Sequence, residues 1–199
     1  ADGVPGWSAS DGRVSPVIDP GQSFTYRLSL MRPGTFIYHS HLDDIHQLTG
    51  GLYGALIVLP EGEVFDARTD HIALFGWNTP EASELADLEL NGRRVQPPGR
   101  AVVGERHRFR VINIAPAGMI TAVLYRDGVP VPITLHAKDG ADLPLHQRVA
   151  VPALPRLGVG ETADFTWTPT APGTYELHIG YRPEASLVQH WEVTAAPGS

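Results

Sequence analysis

Cysteine is absent from all 199 residues of the chain. Its absence excludes disulfides, thiolate zinc sites, cysteine nucleophiles and iron–sulfur clusters. It also excludes a blue-copper site within this sequence, because the strong ligand of such a site is a cysteine sulfur. A chain without cysteine suits an oxidising and a reducing compartment equally, so the redox environment stays open.

Two further shortages concern charge and hydrophobic length. The chain has 15 Lys and Arg against 22 Asp and Glu, a formal charge of −7, and lysine is nearly absent. No basic cluster occurs, so neither nucleic acid nor an anionic membrane surface is expected as a partner. No run of about 18 apolar residues is present, so we expect no membrane-spanning helix. The sequence begins at Ala1 without a signal-peptide pattern, and we interpret it as processed, truncated or cut from a longer chain.

The residues that are present predict strands. Hydrophobic residues make up 42% of the chain, enough for a core. The segments "SFTYRLSL" and "TADFTW" alternate apolar and polar residues with the period of two of a half-buried strand. The 21 Gly and 18 Pro separate such runs at turn sequences like "RPGT" and "RDGVP". Helical periodicity is confined to "PEASELADLEL". The sequence therefore predicts an all-β chain of sandwich or barrel type.

An internal repeat indicates two copies of one β module. The segment "GQSFTYRLSLMRPGTFIYHSH" begins at Gly21, and "GETADFTWTPTAPGTYELHIG" begins 139 residues later, at Gly160. Both copies contain Pro-Gly-Thr, an aromatic residue and a histidine, at Pro33/Pro172, Gly34/Gly173, Thr35/Thr174, Phe36/Tyr175 and His39/His178. A repeat of this length predicts two domains. We place their boundary in "PEGEVFDARTD", which gives domains 1–65 and 66–199.

The repeat also predicts that the first copy lacks its opening section, about 70 residues by comparison with the second copy. A half sandwich leaves strand edges and one apolar face open to water. We therefore expect the missing strands to come from an absent segment or from another chain, and an oligomer is one way to cover them. The alternative is a shorter first module that is complete as it stands.

The stretch "PGTFIYHSHLDDIHQLTGGLYGALIVL", residues 33–59, places three histidines within eight positions. Side chains at i and i+2 of a strand point to the same face. His39 and His41 therefore project together, and Ser40 projects the other way. Neutral imidazole binds copper, zinc, iron and nickel, so the pair is a candidate metal site that needs further ligands from elsewhere. The alternative is two histidines bonded to neighbouring carbonyl groups.

Several segments resemble the multicopper oxidases, the laccase-like enzymes built from cupredoxin domains. The segment "GTFIYHSHLDDIHQLTGGLYGALIVL" resembles their second His-x-His motif, and "ADGVPGW" resembles the stretch after their first motif, His-Trp-His-Gly. The segments "LNGR", "VGERHRFRVINIA" and "AKDGADLP" resemble the cupredoxin domain that follows in bacterial members. The resemblance implies two cupredoxin-like Greek-key β-sandwich domains. The first would bind copper and lack its N-terminal strands, and the second would have no copper site.

The resemblance also implies copper, dioxygen and a small reducing substrate. In the family, the His-Ser-His pair holds the type 3 coppers of a trinuclear cluster that reduces dioxygen to water, which makes His39 and His41 metal ligands. Asp2 corresponds to an acidic residue near the cluster that assists proton delivery, a catalytic role. Such an enzyme oxidises a phenol or a similar donor one electron at a time. A periplasmic or secreted location is implied as well.

The sequence departs from the family pattern in ways that limit this assignment. The family cluster uses four His-x-His pairs, and a Cys-centred type 1 copper accepts the substrate electrons. This chain has one pair, and Ser40 stands at the position of the type 1 Cys. We therefore expect the chain alone to be an incomplete oxidase. A non-catalytic cupredoxin-like module that binds copper or serves as a scaffold is the alternative function. Ser40 disfavours a two-domain copper nitrite reductase, and the lack of a nucleophile motif disfavours a hydrolase.

The other histidines are interpreted as non-ligands. His46 is expected to be a loop residue near the site. His178 is expected to be structural, because Gly180 stands where the second copy would need the partner of the pair. Ordinary surface or half-buried histidines are expected at the five positions without paired spacing, His71, His107, His136, His146 and His190.

Five charged residues lie in or close to the motifs. Asp43 and Asp44 fit a solvated acidic loop, with tuning of the cluster or proton relay as the alternative. Arg108 and Arg110 alternate with apolar residues in "RHRFRV", and we expect them to face solvent or a domain interface. The pair Asp139-Gly140 fits a turn in which glycine takes positive φ, an architectural role.

Overall fold

The structure, a computed structural model, describes residues 17–29, 32–80 and 87–196. These residues form fourteen strands, one α-helix and one 3-10 turn, which confirms the all-β prediction. The helix α1 is Asp44–Thr49, and the 3-10 turn is Leu145–Gln147. The strands are β1 (Gly34–His39), β2 (Tyr53–Val58), β3 (Asp70–Trp77), β4 (Leu88–Leu90), β5 (Gly99–Val102), β6 (His107–Asn113), β7 (Thr121–Arg126), β8 (Val129–Val131), β9 (Ile133–Lys138), β10 (Ala141–Asp142), β11 (Ala150–Val151), β12 (Thr162–Trp167), β13 (Gly173–Arg182) and β14 (Ala185–Thr194).

The strands form three sheets. The central sheet has the order β10-β9-β12-β6-β3-β4, with β11 paired to β9. The outer sheet has the order β5-β14-β13-β7-β8. The first hairpin is the antiparallel pair β1–β2, in which Gly34 lies opposite Val58 and His39 lies opposite Tyr53. Ten of the fourteen strands therefore follow residue 98, and the first hairpin is separate from them.

The main core lies between the central and outer sheets. Alternate residues of β6 and β12, among them Phe109, Val111 and Phe165, point into it and are buried. Tyr175 and Trp191 fill it from the outer sheet. Each fully buried side chain of this size contributes about 1.5–3 kcal/mol. The inward position of Ala163, Phe165 and Trp167 is the one that the alternation in "TADFTW" predicts.

A second, smaller core lies on the other face of the central sheet. Ile37 of β1 and Leu48 of α1 pack there against Leu74, Ile112 and Ile114. The central sheet is thus covered on both faces, by the outer sheet and by the first hairpin. This double cover explains why all six residues of β12 are buried, although its sequence alternates.

The turn at Asp139-Gly140 brings the first hairpin and the central sheet into close backbone contact. Both residues have positive φ, 46° and 69°. A Cβ at Gly140 would overlap the ring of Phe36, and a Cβ at Gly34 would overlap the backbone of Gly140. Arg32 donates a hydrogen bond of 3.1 Å from Nη2 to the carbonyl oxygen of Asp139. The architectural role expected of this turn is therefore to seat β1.

Two local expectations differ from the structure. Residues 23–29 of "SFTYRLSL" form no strand, and Phe24 and Tyr26 are exposed. A strand needs a hydrogen-bonded neighbour, and no described strand lies beside this segment to supply one. Of "PEASELADLEL", residues 81–86 lie outside the described residues, and Leu88–Leu90 is β4 instead of a helix. Within the described ranges, no helix is long and apolar enough to cross a membrane.

Candidate functional site

The candidate site lies where β1 ends. His39 is the last residue of β1, and His41 follows two positions later. Their ring centroids are 4.5 Å apart with an angle of 42° between the ring planes. The backbone N–H of Ser40 donates to the carbonyl oxygen of Leu52 over 3.2 Å, which continues the β1–β2 ladder past His39. The hairpin therefore holds the two imidazoles side by side, as the His-x-His spacing predicts.

A hydrogen bond fixes the orientation of the first ring. His39 donates from Nδ1 to the carbonyl oxygen of Ser40 over 2.7 Å. Because a carbonyl oxygen can only accept, Nδ1 carries the proton and Nε2 carries the lone pair of the neutral ring. A histidine metal ligand commonly donates its other ring N–H in this way. One carbonyl contact of the kind that the alternative interpretation foresaw is thus compatible with metal binding.

The helix α1 packs directly after the pair. Leu48 anchors it in the small core, and Gly50 closes it with a backbone bond of 2.9 Å to the carbonyl oxygen of His46. The expectation of a loop at His46 is wrong, because the residue lies within α1. Its Nδ1 lies 3.0 Å from Oδ1 of Asp43, and both side chains are exposed. The neighbours of His46 are thus an acidic residue and solvent.

The described residues do not contain a complete set of metal ligands. No group of three or more His, Asp or Glu side chains in them is arranged to hold a metal ion. A metal bound by His39 and His41 would therefore need further ligands from outside the described residues. Asp2 lies outside the described residues.

The second copy of the motif holds one histidine and has no room for another. His178 lies in β13, with Nε2 3.1 Å from Oε2 of Glu176 and its ring against that of Tyr125. A Cβ at Gly180 would overlap the backbone of Ala185 and of the residue after it. A histidine therefore cannot stand at the position equivalent to His41.

The segment that carries the pair resembles a known protein family. The family profile described as multicopper oxidase matches residues 1–63, which include the first hairpin and α1. Residues 1–63 are therefore similar to multicopper oxidases. Proteins of this family bind copper, including a trinuclear cluster.

Individual relatives agree with this assignment. The chain is 41% identical over 90 residues to the multicopper oxidase CTB12 of Cercospora beticola, which covers 45% of this chain and 12% of that protein. It is 44% identical over 55 residues to the L-ascorbate oxidase of Cucurbita pepo var. melopepo. That match covers 27% of this chain and 10% of the oxidase. The match thus spans only a small part of the length of these curated relatives. The laccase of Botrytis aclada superposes with a TM-score of 0.69 at 19% identity, over 92% of this chain and 39% of that chain. The structural likeness shows the fold, that of the cupredoxin-built multicopper oxidases.

A buried charged cluster joins the first hairpin to the central sheet. We call Thr35, Asp70, Arg108, Arg110 and Asp164 the interface cluster. Arg110 donates from Nη1 to Oδ2 of Asp164 over 3.1 Å and from Nη2 to Oδ1 of Asp70 over 3.0 Å. Arg108 donates from Nε to the same Oδ2 over 2.9 Å. Arg110 is buried between the first hairpin and the central sheet and does not face solvent.

The inner core holds a histidine pair that the sequence analysis missed. His71 and His107 face each other with 3.0 Å between Nε2 and Nδ1, and Trp191 packs edge-on against both rings. Burial lowers the pKa of His71 to about 4 and also lowers the pKa of His107. The expectation of a surface or half-buried residue is wrong for His107, which is fully buried. His71 and Trp191 are among the residues that line an open cleft of about 740 Å³. The His39–His41 pair does not line this cleft.

His136 is a second buried histidine, also in contrast to the expectation. It lies in β9, and Arg106 donates from Nη2 to its Nδ1 over 3.3 Å. Burial, together with the positive charge of Arg108, lowers the pKa of His136 to about 4. A neutral ring at this position accepts the hydrogen bond from Arg106 and avoids a further positive charge.

Proposed function

We propose that the chain is part of a laccase-like multicopper oxidase and supplies His39 and His41 to its trinuclear copper cluster. The complete enzyme would couple one-electron oxidation of a phenolic or similar donor to the four-electron reduction of dioxygen to water. The observation that carries this proposal is the side-by-side placement of two imidazoles at the end of β1, 4.5 Å between centroids, within a segment of the family. Imidazole nitrogens suit copper, which makes the donor set appropriate.

The residues of this chain have distinct roles in the proposal. The copper cluster, when bound, supplies the redox chemistry. His39 and His41 hold two positions of it, and the Ser40 carbonyl fixes the tautomer of His39 through the bond to Nδ1. Asp2 is proposed to deliver protons, which dioxygen reduction consumes. The remaining histidine ligands and the type 1 copper are proposed to come from outside this sequence.

The organisation of the chain forms part of the proposal. We assign residues 1–65 to a copper-binding cupredoxin domain that other strands complete, and residues 66–199 to a second cupredoxin-like domain without a copper site. A different segment or chain would complete the first domain, and an oligomer could do so. A periplasmic or secreted location is proposed by analogy with laccases.

Copper titration of the 199-residue chain tests the ligand role. His39→Ala and His41→Ala are each expected to weaken copper binding at least tenfold, because two imidazoles bind a metal more tightly than one. His178→Ala, at the equivalent position of the second copy, is the matched control and is expected to bind as the unchanged chain does. Equal binding by all four proteins would contradict the role of the pair.

The complete oxidase tests the reaction. Elemental analysis and oxygen uptake with a phenolic dye should show copper and turnover, and both should fall in His41→Ala. A complete enzyme with every histidine pair but no copper would refute the proposal.

A non-catalytic copper-binding or scaffold module is the second candidate. The lack of a three-ligand group among the described residues favours it for the chain in isolation. It predicts at most weak copper binding and no oxygen consumption by the purified chain. Oxygen consumption by that chain with a phenol would exclude it.

A further inference from the structure

The face of β1 that carries the histidine pair also rests on the central sheet. Side chains at alternate positions of a strand share a face. Thr35, Ile37 and His39 therefore follow one another on one side of β1. Thr35 belongs to the interface cluster, and Ile37 packs in the small core, where Ile112 is one of its neighbours. The position of His39 is set by how these two earlier residues are seated.

The hydroxyl of Thr35 is bound from two sides. It donates to Oδ2 of Asp164 over 3.1 Å and accepts from Nη1 of Arg110 over 3.2 Å. The backbone of the same residue is held as well, because Thr162 donates from its hydroxyl to the Thr35 carbonyl oxygen over 3.0 Å. Asp164, Arg110 and Thr162, from two strands of the central sheet, thus all form hydrogen bonds with Thr35.

The surroundings of these bonds make them sensitive to register. Thr35 and Asp164 are each 1% exposed, and Arg110 is 3% exposed. Buried charged groups are costly unless their hydrogen bonds are made. A shift of β1 by two residues would bring Ile37 to Asp164, and an isoleucine offers no hydroxyl. A shift by one residue would turn the other face of β1 toward the sheet. Only the observed register gives Asp164 and Arg110 a hydroxyl.

We propose that Thr35, Asp164 and Arg110 are positioning residues that lock the register of β1 and thereby the placement of His39 and His41. The lock lies four residues before His39, about 13 Å along an extended strand. Its link to copper rests on the proposed function, but its effect on the two rings does not. The lock contacts neither ring and acts through the strand.

The test uses the metal-free 199-residue chain and needs no copper. Thr35→Val removes the hydroxyl at nearly constant volume, Thr35→Ser retains it, and Thr174→Val is the same change at the exposed equivalent position of the second copy. Nuclear magnetic resonance reports the imidazole signals of His39 and His41. Amide hydrogen exchange reports the opening of β1 and, at Leu124 of β7, the stability of the sandwich.

Thr35→Val is expected to shift both imidazole signals and to speed exchange of the β1 amides about tenfold, the size of a lost hydrogen bond to a charged group. Exchange at Leu124 should change less than twofold. Thr35→Ser and Thr174→Val should give the signals and exchange rates of the unchanged chain.

Four results would overturn the proposal. The imidazole signals and β1 exchange could be unaffected by Thr35→Val. Exchange could rise equally in β1 and at Leu124, or Thr35→Val could fail to fold, and either would make the cluster a general stability element. Thr35→Ser could fail to restore the signals. A chain that passes this test but binds no copper refutes the proposed function and leaves the register lock standing.

Discussion

The two copies of the repeated hairpin share a sequence signature and differ in which face is covered. The β13–β14 hairpin lies inside the outer sheet, where β13 also pairs with β7 and β14 with β5. The β1–β2 hairpin forms a two-stranded sheet by itself. Tyr175 and Leu177 of β13 point into the main core. At the equivalent positions of β1, Phe36 is buried against the turn at Gly140, but Tyr38 is 52% exposed.

On the opposite face of the two hairpins, burial follows the reverse pattern. Thr174 and His178 of β13 point away from the main core and are exposed or half-buried. Their equivalents in β1, Thr35 and His39, lie on the face that the central sheet covers. The face of the first hairpin that carries His39 therefore corresponds to the face of the second hairpin that points away from the main core. One sequence motif thus serves as a core element in one copy and as an interface element in the other.

The largest effect should come from truncating the equivalent positions Tyr38 and Leu177. Leu177→Ala is expected to lower the free energy of unfolding by about 4 kcal/mol, because it leaves a cavity in the enclosed core. Tyr38→Ala should cost less than about 1 kcal/mol, as exposed residues do. Urea unfolding followed by tryptophan fluorescence measures both. Equal losses would show that the first hairpin buries the same face as the second.

The next largest effect concerns the interface cluster. Asp164→Asn is expected to lower the free energy of unfolding by about 3 kcal/mol, because Arg108 and Arg110 lose the charge of their shared partner in a buried site. Glu184→Gln, in an exposed pair with Arg182 that is 3.9 Å long, is the control and should cost less than about 1 kcal/mol. A loss below 1 kcal/mol in Asp164→Asn would mean that water or other groups replace the carboxylate.

How far the sequence predicted these contacts depends on their range. The inward face of β12 followed from the alternation in "TADFTW", since period two is a local property. The same alternation in "HRFRVINI" places His107 on the inner side with Phe109, so the burial of His107 was predictable in principle. The missed signal was that a histidine shared the register of the apolar residues.

Asp164 could not be identified in this way. It lies among apolar residues in "TADFTW" and reads as the solvent side of a half-buried strand. Its partners Thr35, Arg108 and Arg110 lie 129, 56 and 54 residues away, so only the tertiary structure brings them together. The strand prediction for residues 23–29 was wrong for the opposite reason, because a correct local alternation does not make a strand without a neighbouring strand.

Acid should lower the stability of the core around His71 and His107, which pack against Trp191 of the second hairpin. Burial lowers the pKa of His71 from 6.5 to about 4 and lowers that of His107. Between pH 6.5 and about 4 the unfolded chain binds protons that the folded chain does not. The free energy of unfolding should therefore be highest above pH 6.5 and should decrease as the pH drops toward 4. For His71 the decrease should be about 2 kcal/mol after allowing for its partial exposure.

Urea unfolding at each pH measures this fall, and amide exchange in β13 and β14 locates it. His71→Phe, which keeps an aromatic ring against Phe109 and Trp191, should flatten the slope. His146→Gln on the exposed 3-10 turn is the control. An unchanged slope in His71→Phe would assign the acid sensitivity to other groups.

The smallest effect tests the link between β2 and the central sheet. β14 is tied to β5 by a backbone ladder, whereas β2 reaches β4 through one side-chain bond, in which Tyr53 donates its hydroxyl to Oε1 of Glu89 over 2.8 Å. Burial, with the adjacent carboxylate, raises the pKa of Tyr53, so the hydroxyl stays a donor at neutral pH. Tyr53→Phe should lower the free energy of unfolding by about 1 kcal/mol, the size of a partly buried hydrogen bond. Tyr38→Phe on the same hairpin should change it by less than about 0.5 kcal/mol.

Amide exchange tests the same bond locally. Because β2 has no other side-chain hydrogen bond to the central sheet among the described residues, the β2 amides should exchange faster in Tyr53→Phe, and the β14 amides should not. Equal exchange in the two hairpins would mean that packing on the small core, and not this bond, holds β2 in place.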